Sequence, residues 1–181
     1  MAIHRLNHAV LYVRDVDRSV DFYRDVLGFS VAMSMPGRAA FLQAPHSTND
    51  HDLGLFALGD AAGPTTAGTT SVGLYHLAWE VDTLADLEEL SRALAEVGSL
   101  VGATDHGATK SLYAKDPDGL EFEVVWLVPA HLLTDDIVGS AGIRPLDLAK
   151  EIARFGADTR GGLGISIPLG VEAPIAATQS S

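Results

Sequence analysis

Apolar residues recur along this chain with two different periods, in an order that repeats. Residues 7–13, NHAVLYV, form a short apolar run that predicts a strand. The next segment, RDVDRSVDFYRDVLGF, places its apolar residues on one face of a helix, which Asp15 or Asp17 can cap and Gly28 can end. Further strands are predicted over residues 30–34, 38–43 and 52–58. The first third of the chain is therefore predicted to form a strand, a helix and three strands.

The same order returns in the second third of the chain. Residues 75–81, YHLAWEV, predict a strand, and DTLADLEELSRALAEVG predicts a helix that ends near Gly98. Strands are expected at about residues 100–102, 110–115 and 120–128. His8 and His76 hold the same place in the first strands of the two halves. Because repeated units usually pack on each other and share a core, these strands can lie side by side and point both imidazoles into one cleft.

The remaining segments do not follow this repeat. Residues 58–73, LGDAAGPTTAGTTSVG, are rich in Gly, Ala and Thr and predict a linker or loop. Residues 129–181 contain one predicted helix, RPLDLAKEIARF (144–155), followed by a Gly-rich run and a polar end. We expect this C-terminal extension to be a partly ordered arm with a disordered end.

Composition narrows the class of protein. The chain has 181 residues, of which 47% are hydrophobic and 20% charged, and this suits one globular domain with a substantial core. It has no cysteine, so disulfides, thiolate metal sites and thiol nucleophiles are excluded, while histidine and carboxylate ligands remain. The net charge of −12, without a Lys/Arg cluster, argues against nucleic acid as a partner. No apolar run predicts a signal peptide or a membrane span, so we expect a cytoplasmic protein without a membrane partner.

Two carboxylates interrupt the apolar strand predicted at residues 120–128. A buried carboxylate without a partner costs several kcal/mol, so each of them must face solvent or a cation. Glu121 and Glu123 alternate with Phe122 and therefore share one face of the strand. Periodicity alone leaves both glutamates as candidates for a functional site.

Two stretches carry a family resemblance. NHAVLYVRDVDRSVDFYRDVLGF resembles the usual opening, and DPDGLEFE the usual close, of the vicinal oxygen chelate superfamily. The resemblance implies an α+β domain over residues 1–128, in which two βαβββ modules (4–58 and 73–128) form a half-open mixed β-barrel around a metal, with residues 129–181 as a C-terminal extension. It assigns the metal ligands to His8, His76 and Glu123. Two histidines and one carboxylate leave open positions on the metal and are typical of non-haem Fe(II), although the same ligands also suit Mn(II).

A second motif is more specific. TDHGATKSLYAKDPDGLEFE resembles the signature of type I extradiol ring-cleavage dioxygenases in the identity and spacing of its polar residues. This resemblance implies that His106 and Tyr113 act on the substrate and that Glu123 ligates the metal. In such enzymes a histidine at the start of the first module's last strand takes part in acid/base chemistry, and His51 in NDHDLGLF matches it by position. The implied reaction inserts both atoms of O2 into a catechol-like aromatic diol.

Two other functions use the same fold: a glyoxalase-like isomerase or lyase, and a metal-free protein that binds a small molecule such as a drug. Glyoxalase-type relatives take a further Glu or Gln ligand from the first module. At that position this sequence has an apolar residue, about Leu55, and Asp52 is the nearest carboxylate. The absent fourth ligand argues against the isomerase, and the retained histidines and glutamate argue against the binding protein.

Several other residues are expected to serve the structure rather than the chemistry. Surface or loop positions are predicted for His4, His46 and His131. Trp79 and Trp126 are expected in the core or in a pocket wall, and Glu121 is expected to face away from the site or to support it. The chain resembles single-domain members of the family, so we expect it to form a homo-oligomer, a dimer or larger, with residues 129–181 as a candidate contact.

Overall fold

The computed structural model describes residue 3 and residues 5–67 and 70–162. These residues form two compact units. The first unit holds the residues up to His76 together with Glu96–Ser99 and Lys115–Glu121, and the second holds Leu77–Ala95, Leu100–Ala114 and the residues from Phe122 onward. The first repeat predicted from the sequence thus forms most of the first unit, which also contains three short segments of the second repeat, residues 73–76, 96–99 and 115–121.

The first unit contains a strand, a helix and three strands, as the sequence predicts. Its elements are β1 (Ala9–Val13), α1 (Val16–Asp25), β2 (Ser30–Met35), β3 (Ala39–Gln43) and β4 (Leu53–Ala57). The strands form one sheet in the order β1-β4-β3-β2, in which β1 and β4 run parallel and the other neighbours run antiparallel. Asp15 caps α1 by accepting the N–H groups of Asp17 and Arg18, and Gly28 follows the helix with a φ of 76°.

The two faces of this sheet differ in burial because side chains alternate along a strand. One face forms the core against α1 and carries Leu11, Val13, Ala40, Leu42, Leu53 and Leu55. The opposite face leaves Val10 and Tyr12 exposed, and His8 continues the same alternation just before β1. The fold of the first unit therefore places His8 on the open side of its sheet.

The DPDG turn of residues 116–119 belongs to the first unit. Asp118 accepts hydrogen bonds from the backbone N–H and the Nη1 of Arg14, at 2.8 and 2.9 Å, and from the Nη2 of Arg18 at 2.7 Å. Asp116 accepts the N–H groups of Asp118 and Leu120 at 2.9 and 2.8 Å, which closes the turn. Burial raises the pKa of the Asp116 carboxyl despite these donors. This motif therefore fixes the turn of residues 116–119 next to α1.

The second repeat supplies β5 (His76–Glu80), α2 (Leu84–Glu96), β6 (Leu100–Asp105), β7 (Thr109–Lys115) and β8 (Glu121–Leu127). A later two-residue strand, β9 (Arg144–Pro145), joins them in a sheet of order β5-β8-β7-β6-β9. Along β8, Phe122, Val124 and Trp126 are buried, while the alternating residues from Glu121 to Leu127 are half-buried. The strand is therefore two-faced, and both glutamates lie on its less buried face.

The C-terminal extension has more structure than the single helix that the sequence predicts. A short 3₁₀ helix (Ala130–Leu132) and α3 (Asp135–Gly139) precede β9, and α4 (Leu148–Phe155) follows it. The predicted start of α4 at residue 144 is wrong, because Arg144 precedes a proline and is extended, and Asp147 caps the helix by accepting the Lys150 N–H.

Residues of this extension pack on the second unit. The indole N–H of the fully buried Trp126 donates to the Thr159 carbonyl at 3.1 Å. A β-carbon on Gly161 would come within 2.7 Å of the Leu127 carbonyl, so the chain passes directly over β8 there. The predicted disordered end lies outside the described residues. No helix in the described part of the chain has the length and apolar character that crossing a membrane requires.

Candidate functional site

His8 is oriented by a short chain of amide groups in the first unit. Its Nδ1 lies 2.7 Å from the Oδ1 of Asn7, which can only accept, so Nδ1 carries the proton of the neutral ring. The side-chain amide of Asn49 donates to the Asn7 carbonyl at 2.8 Å and to the Asp52 carboxylate at 2.7 Å. This arrangement leaves the lone pair of His8 on Nε2, the form in which a histidine binds a metal.

His51 lies beside His8 in the same unit. The two ring centroids are 4.5 Å apart, and the edge of Phe41 meets the His51 ring at 5.1 Å. The Nδ1 of His51 lies 3.1 Å from the Asp50 carboxylate, while the side chain is 17% exposed. The backbone N–H and then the ring of His51 hold the pKa of Asp50 below its ordinary value. A carboxylate at Nδ1 leaves Nε2 as the basic nitrogen, which is the arrangement of a histidine that accepts protons.

An apolar surface surrounds these two histidines on the open face of the first sheet. Phe41 and Phe56 meet edge to face with centroids 5.8 Å apart, and Val10 and Tyr12 are exposed along β1. Gly54 lies beneath Val10, and a β-carbon there would be 3.3 Å from the Val10 Cγ2. Flat aromatic and branched side chains around polar nitrogens suit an aromatic ring that carries polar groups.

The residue at the fourth-ligand position is Gly54, and the expectation of Leu55 is wrong by one residue. Leu55 is fully buried on the core face of β4, whereas Glu123 lies on the less buried face of β8. The register of the strands agrees when His8 is matched with His76. The Ala9 N–H donates to the Asp52 carbonyl, and the same spacing continued along both strands pairs the Val13 N–H with the Phe56 carbonyl. In the repeat Val81 matches Val13 and its N–H donates to the Val125 carbonyl, so Val125 matches Phe56 and Glu123 matches Gly54. Gly54 has no side chain, so the first module offers no further ligand there.

Asp52 is also committed elsewhere in the first unit. Its carboxylate accepts the Ala44 N–H and the Ser47 hydroxyl, both at 2.8 Å, in addition to Asn49. These donors fold the loop that precedes β4. Asp52 is therefore the residue that organises this loop and supports Asn7 beside His8.

A hydrogen-bonded chain in the second unit joins three of the predicted site residues. The Nε2 of His106 lies 2.9 Å from the Tyr113 hydroxyl, and that hydroxyl lies 3.4 Å from the Glu123 Oε1. The Nδ1 of His106 lies 2.8 Å from the Gly142 carbonyl, which only accepts, so Nδ1 carries the proton of the neutral ring. The lone pair of His106 therefore faces Tyr113.

In this hydrogen-bonded chain the phenolic proton of Tyr113 can go to either His106 or Glu123. With His106 neutral, Tyr113 donates to the Nε2 of His106, the shorter of the two contacts. With His106 protonated, its Nε2 donates to the phenol oxygen, and Tyr113 then donates to Glu123. The geometry therefore allows a proton on His106 to be passed to Tyr113 and onward to an oxygen placed beside it.

The structure separates the two glutamates that periodicity leaves equivalent. The Glu121 carboxylate lies 3.4 Å from the Nζ of Lys115, a surface ion pair. Glu123 instead faces Tyr113. Glu121 therefore has an ordinary cationic partner, and the carboxylate that contacts predicted active-site residues is Glu123.

Comparison with known proteins places the chain in a family. Residues 5–124 match the glyoxalase/bleomycin resistance protein/dioxygenase superfamily. The chain belongs to this superfamily. The solved domain of the same description from Frankia sp. EAN1pec has the same fold, with a TM-score of 0.56 and 23% identity over 68% of this chain and 92% of that one.

The relatives of this superfamily member include two kinds of enzyme. The chain is 34% identical over 123 residues to the catechol-2,3-dioxygenase of Bacillus subtilis (strain 168), and the match covers 66% of this chain and 40% of that enzyme. It is 34% identical over 116 residues to the biphenyl-2,3-diol 1,2-dioxygenase 3 of Rhodococcus globerulus, covering 64% and 59%. It is also 28% identical over 135 residues to a lactoylglutathione lyase of Neisseria meningitidis, covering 67% and 89%. The chain thus spans less than two thirds of either dioxygenase.

The predicted site residues of this superfamily member form two groups of contacting side chains, apart from His76. His8 meets His51 in the first unit, and His106, Tyr113 and Glu123 meet in the second. His76 is half-buried, with its ring 4.8 Å from that of Tyr75. Among the described residues no group of three or more His, Asp or Glu side chains is arranged to hold a metal ion. The ligand set therefore stays a prediction.

Three residues that contact the candidate histidines are not predicted from the sequence: Asn7, Asp50 and Gly142. Asp50 could have been predicted, because an acidic residue directly before a candidate base is a recognisable sequence pattern. Asn7 beside His8 and Gly142 beside His106 carry no such signal, since an amide and a backbone carbonyl have no characteristic spacing. As expected, His46 and His131 are exposed, and His46 lies in a loop with a φ of 64°. His4 lies outside the described residues.

Proposed function

We propose that this protein is an extradiol ring-cleavage dioxygenase that inserts both atoms of O2 into a catechol-like aromatic diol. The observation that carries the proposal is the chain from His106 through Tyr113 to Glu123. It links the residues of the extradiol signature by hydrogen bonds, and a glyoxalase-type site has no need of it. The dioxygenase relatives at 34% identity support the same choice.

The residues proposed to hold the metal are His8, His76 and Glu123, with Fe(II) as the ion and Mn(II) as the alternative. The donor set fits, because His8 has its Nδ1 engaged by Asn7 and its Nε2 available, and Glu123 contributes a carboxylate. When bound, such an ion supplies open positions at which a diol and O2 can exchange electrons.

His51 is the base in this proposal. The Nε2 of His51 accepts a proton from a diol hydroxyl, and the adjacent Asp50 stabilises the imidazolium that results. Phe41, next to His51, offers an aromatic edge to the substrate ring. His51 can later return the proton to an oxygen of the product, so no external acid is required.

Tyr113 and His106 are the orienting groups in this proposal. The Tyr113 hydroxyl hydrogen-bonds a substrate oxygen, and the two acceptors around it restrict the directions in which it can point. His106 holds the hydroxyl and exchanges a proton with it. The expected product retains both oxygen atoms of O2 and is opened beside the diol.

A glyoxalase-like lyase is the competing function, since lactoylglutathione lyases are also relatives. Gly54 at the fourth-ligand position disfavours it, because no side chain is present to complete a four-residue ligand set. A metal-free binding protein is disfavoured by the oriented imidazole of His8.

Oxygen uptake is the test of the proposed function. Protein reconstituted anaerobically with Fe(II) is mixed with a panel of catechols in an atmosphere of heavy-isotope O2. We expect a visible-absorbing product that carries two labelled oxygen atoms, with one O2 consumed per diol. Metal-loaded protein that takes up no oxygen across the panel, but isomerises a thiol hemithioacetal, would establish the lyase instead.

We also propose that the chain assembles into a homodimer or a larger homo-oligomer. Val31, Met33 and Met35 along the edge strand β2 are exposed, which is costly for a monomer when repeated over one surface. Sedimentation velocity at working concentration is expected to give at least twice the monomer mass. A single monomer species over the same concentrations contradicts this proposal.

A further inference from the structure

The carbonyl that orients His106 lies outside the region shared with the superfamily. The family match ends at residue 124, whereas Gly142 belongs to the C-terminal extension. A candidate site residue therefore depends on a segment beyond the residues that match the superfamily. That segment, Ile137–Gly142, lies directly beside His106 and Gly107.

A glycine next to His106 allows this close approach. Gly107 has a φ of 88°, and a β-carbon there would lie 2.6 Å from the Ile137 carbonyl and 3.2 Å from the Ser140 hydroxyl. Any other residue at this position would be strained and would push the segment away. The turn that carries His106 and the segment Ile137–Gly142 are therefore packed backbone against backbone.

Arg144 fastens the same two pieces of chain. Its Nη2 lies 3.0 Å from the Asp105 carboxylate at the end of β6, and its Nη1 donates to the Ser140 carbonyl. Asp105 in turn accepts the N–H of Gly107 at 2.8 Å. One planar guanidinium thus connects the residue before His106 to the turn that contains Gly142, in a geometry that a lysine cannot reproduce.

We propose that Arg144 is a positioning residue, which holds the Ile137–Gly142 segment so that the Gly142 carbonyl fixes His106 as its Nδ1–H tautomer. In this tautomer Nε2 is an acceptor and can take the Tyr113 proton. Without the carbonyl, a neutral His106 also populates the Nε2–H tautomer, in which Nε2 cannot accept a hydrogen bond. The catalytic meaning of this inference rests on the proposed dioxygenase function, but the tautomer does not.

The experiment compares two arginines of the C-terminal extension. Arg144 is removed in Arg144→Ala, and Arg154→Ala is the matched control, because the Arg154 guanidinium lies over the Phe155 ring, 4.7 Å from its centroid. Long-range nitrogen NMR of histidine-labelled protein at alkaline pH, where imidazoles are neutral, reports the tautomer of each ring. A His106→Gln spectrum identifies the His106 signals.

In the unaltered protein and in Arg154→Ala we expect the His106 Nε2 signal at the unprotonated position and the Nδ1 signal at the protonated one. In Arg144→Ala both signals are expected to move towards an average of the two tautomers. Arg144→Lys is expected to restore the unaltered spectrum only in part. Catechol turnover by Arg144→Ala is expected to fall roughly 10-fold with little change in KM.

A second variant keeps the inference open to refutation if Arg144→Ala is poorly folded. Gly107→Ala displaces the same segment by steric contact and is expected to shift the His106 signals in the same direction. Unchanged His106 signals in the folded variants overturn the inference. If the tautomer shifts in Arg144→Ala while the unaltered protein cleaves no catechol, the inference is supported and the proposed function is refuted. The two failures are therefore distinguishable.

Discussion

Glu123→Gln is expected to reduce oxygen uptake by more than about 100-fold, because it removes the only anionic donor of the proposed ligand set while keeping the shape of the side chain. Changes to groups that merely support metal ligands typically lower metal affinity or activity 10- to 100-fold, and loss of a ligand should exceed that. The measurement is oxygen uptake together with iron content after anaerobic loading. Both are expected to fall together.

Glu121→Gln is the matched control for this prediction. Glu121 lies two positions away on the same face of β8, is also half-buried, and pairs with Lys115 at the surface. Loss of a surface pair of this kind changes stability by at most about 1 kcal/mol, so uptake and iron content should stay near those of the unaltered protein. Equal losses in the two variants would contradict the assignment of Glu123 as the ligand.

Lys110→Met is expected to destabilise the protein by roughly 3–5 kcal/mol, which is the usual consequence of removing one partner from a buried ion pair. Lys110 is 1% exposed, and its Nζ lies 2.5 Å from Asp105 and 3.0 Å from Glu151, which are themselves largely buried. Methionine fills a similar volume but leaves both carboxylates without this cation. Urea unfolding at neutral pH measures the difference.

Lys115→Met is the control for this variant, since Lys115 ends the same strand but is exposed and forms only a surface pair. It is expected to lower the free energy of unfolding by less than about 1 kcal/mol. A loss of that size in Lys110→Met as well would show that the buried pair contributes no more than a surface pair.

The same network gives the protein an acid-sensitive component of stability. Burial alone would raise the pKa of Asp105, but hydrogen bonds from Lys110, the Gly107 N–H and Arg144 outweigh it and lower the pKa to about 2. Between this value and the ordinary pKa near 4 the unfolded chain binds more protons, so stability rises with pH. The contribution, roughly 2 kcal/mol, is complete above about pH 4 and is lost as the pH falls to 2. We expect this acid-dependent slope to be smaller in Lys110→Met.

Much of the fold is predictable because two periods of hydrophobicity recur in the same order. The strands of both repeats and the caps of α1 follow from patterns within a few residues. The strand-to-face assignment at Leu55 fails because a shift of one residue moves a side chain to the opposite face, and an apolar strand such as LGLFA gives no alternation to fix it. The late start of α4 is signalled locally by Pro145 and by Asp147 as N-cap, whereas the pairing of Pro145 with β6 has no local signal.

Contacts among the candidate site residues are predictable where a motif fixes both identity and spacing. His106, Tyr113 and Glu123 come from one such motif and form one hydrogen-bonded chain. The support of His106 by Gly142 is not predictable, because it is a contact between a side chain and a distant backbone carbonyl. Sequence patterns thus identify the candidate side chains better than the backbone groups that orient them.

The pairing of Arg14 with Asp118 has a consequence for how the chain is made. Arg14 and Asp118 are 104 positions apart, yet the Asp118 carboxylate accepts hydrogen bonds from Arg14, just before α1, and from Arg18 within it. A ribosome adding 5–20 residues per second delivers Asp118 roughly 5–20 s after Arg14. During that interval Arg14 and Arg18 lack the Asp118 carboxylate, and the later segments of the first unit, Glu96–Ser99 and Lys115–Glu121, are not yet complete. The nascent first repeat is therefore expected to need chaperone protection until almost two thirds of the chain has emerged.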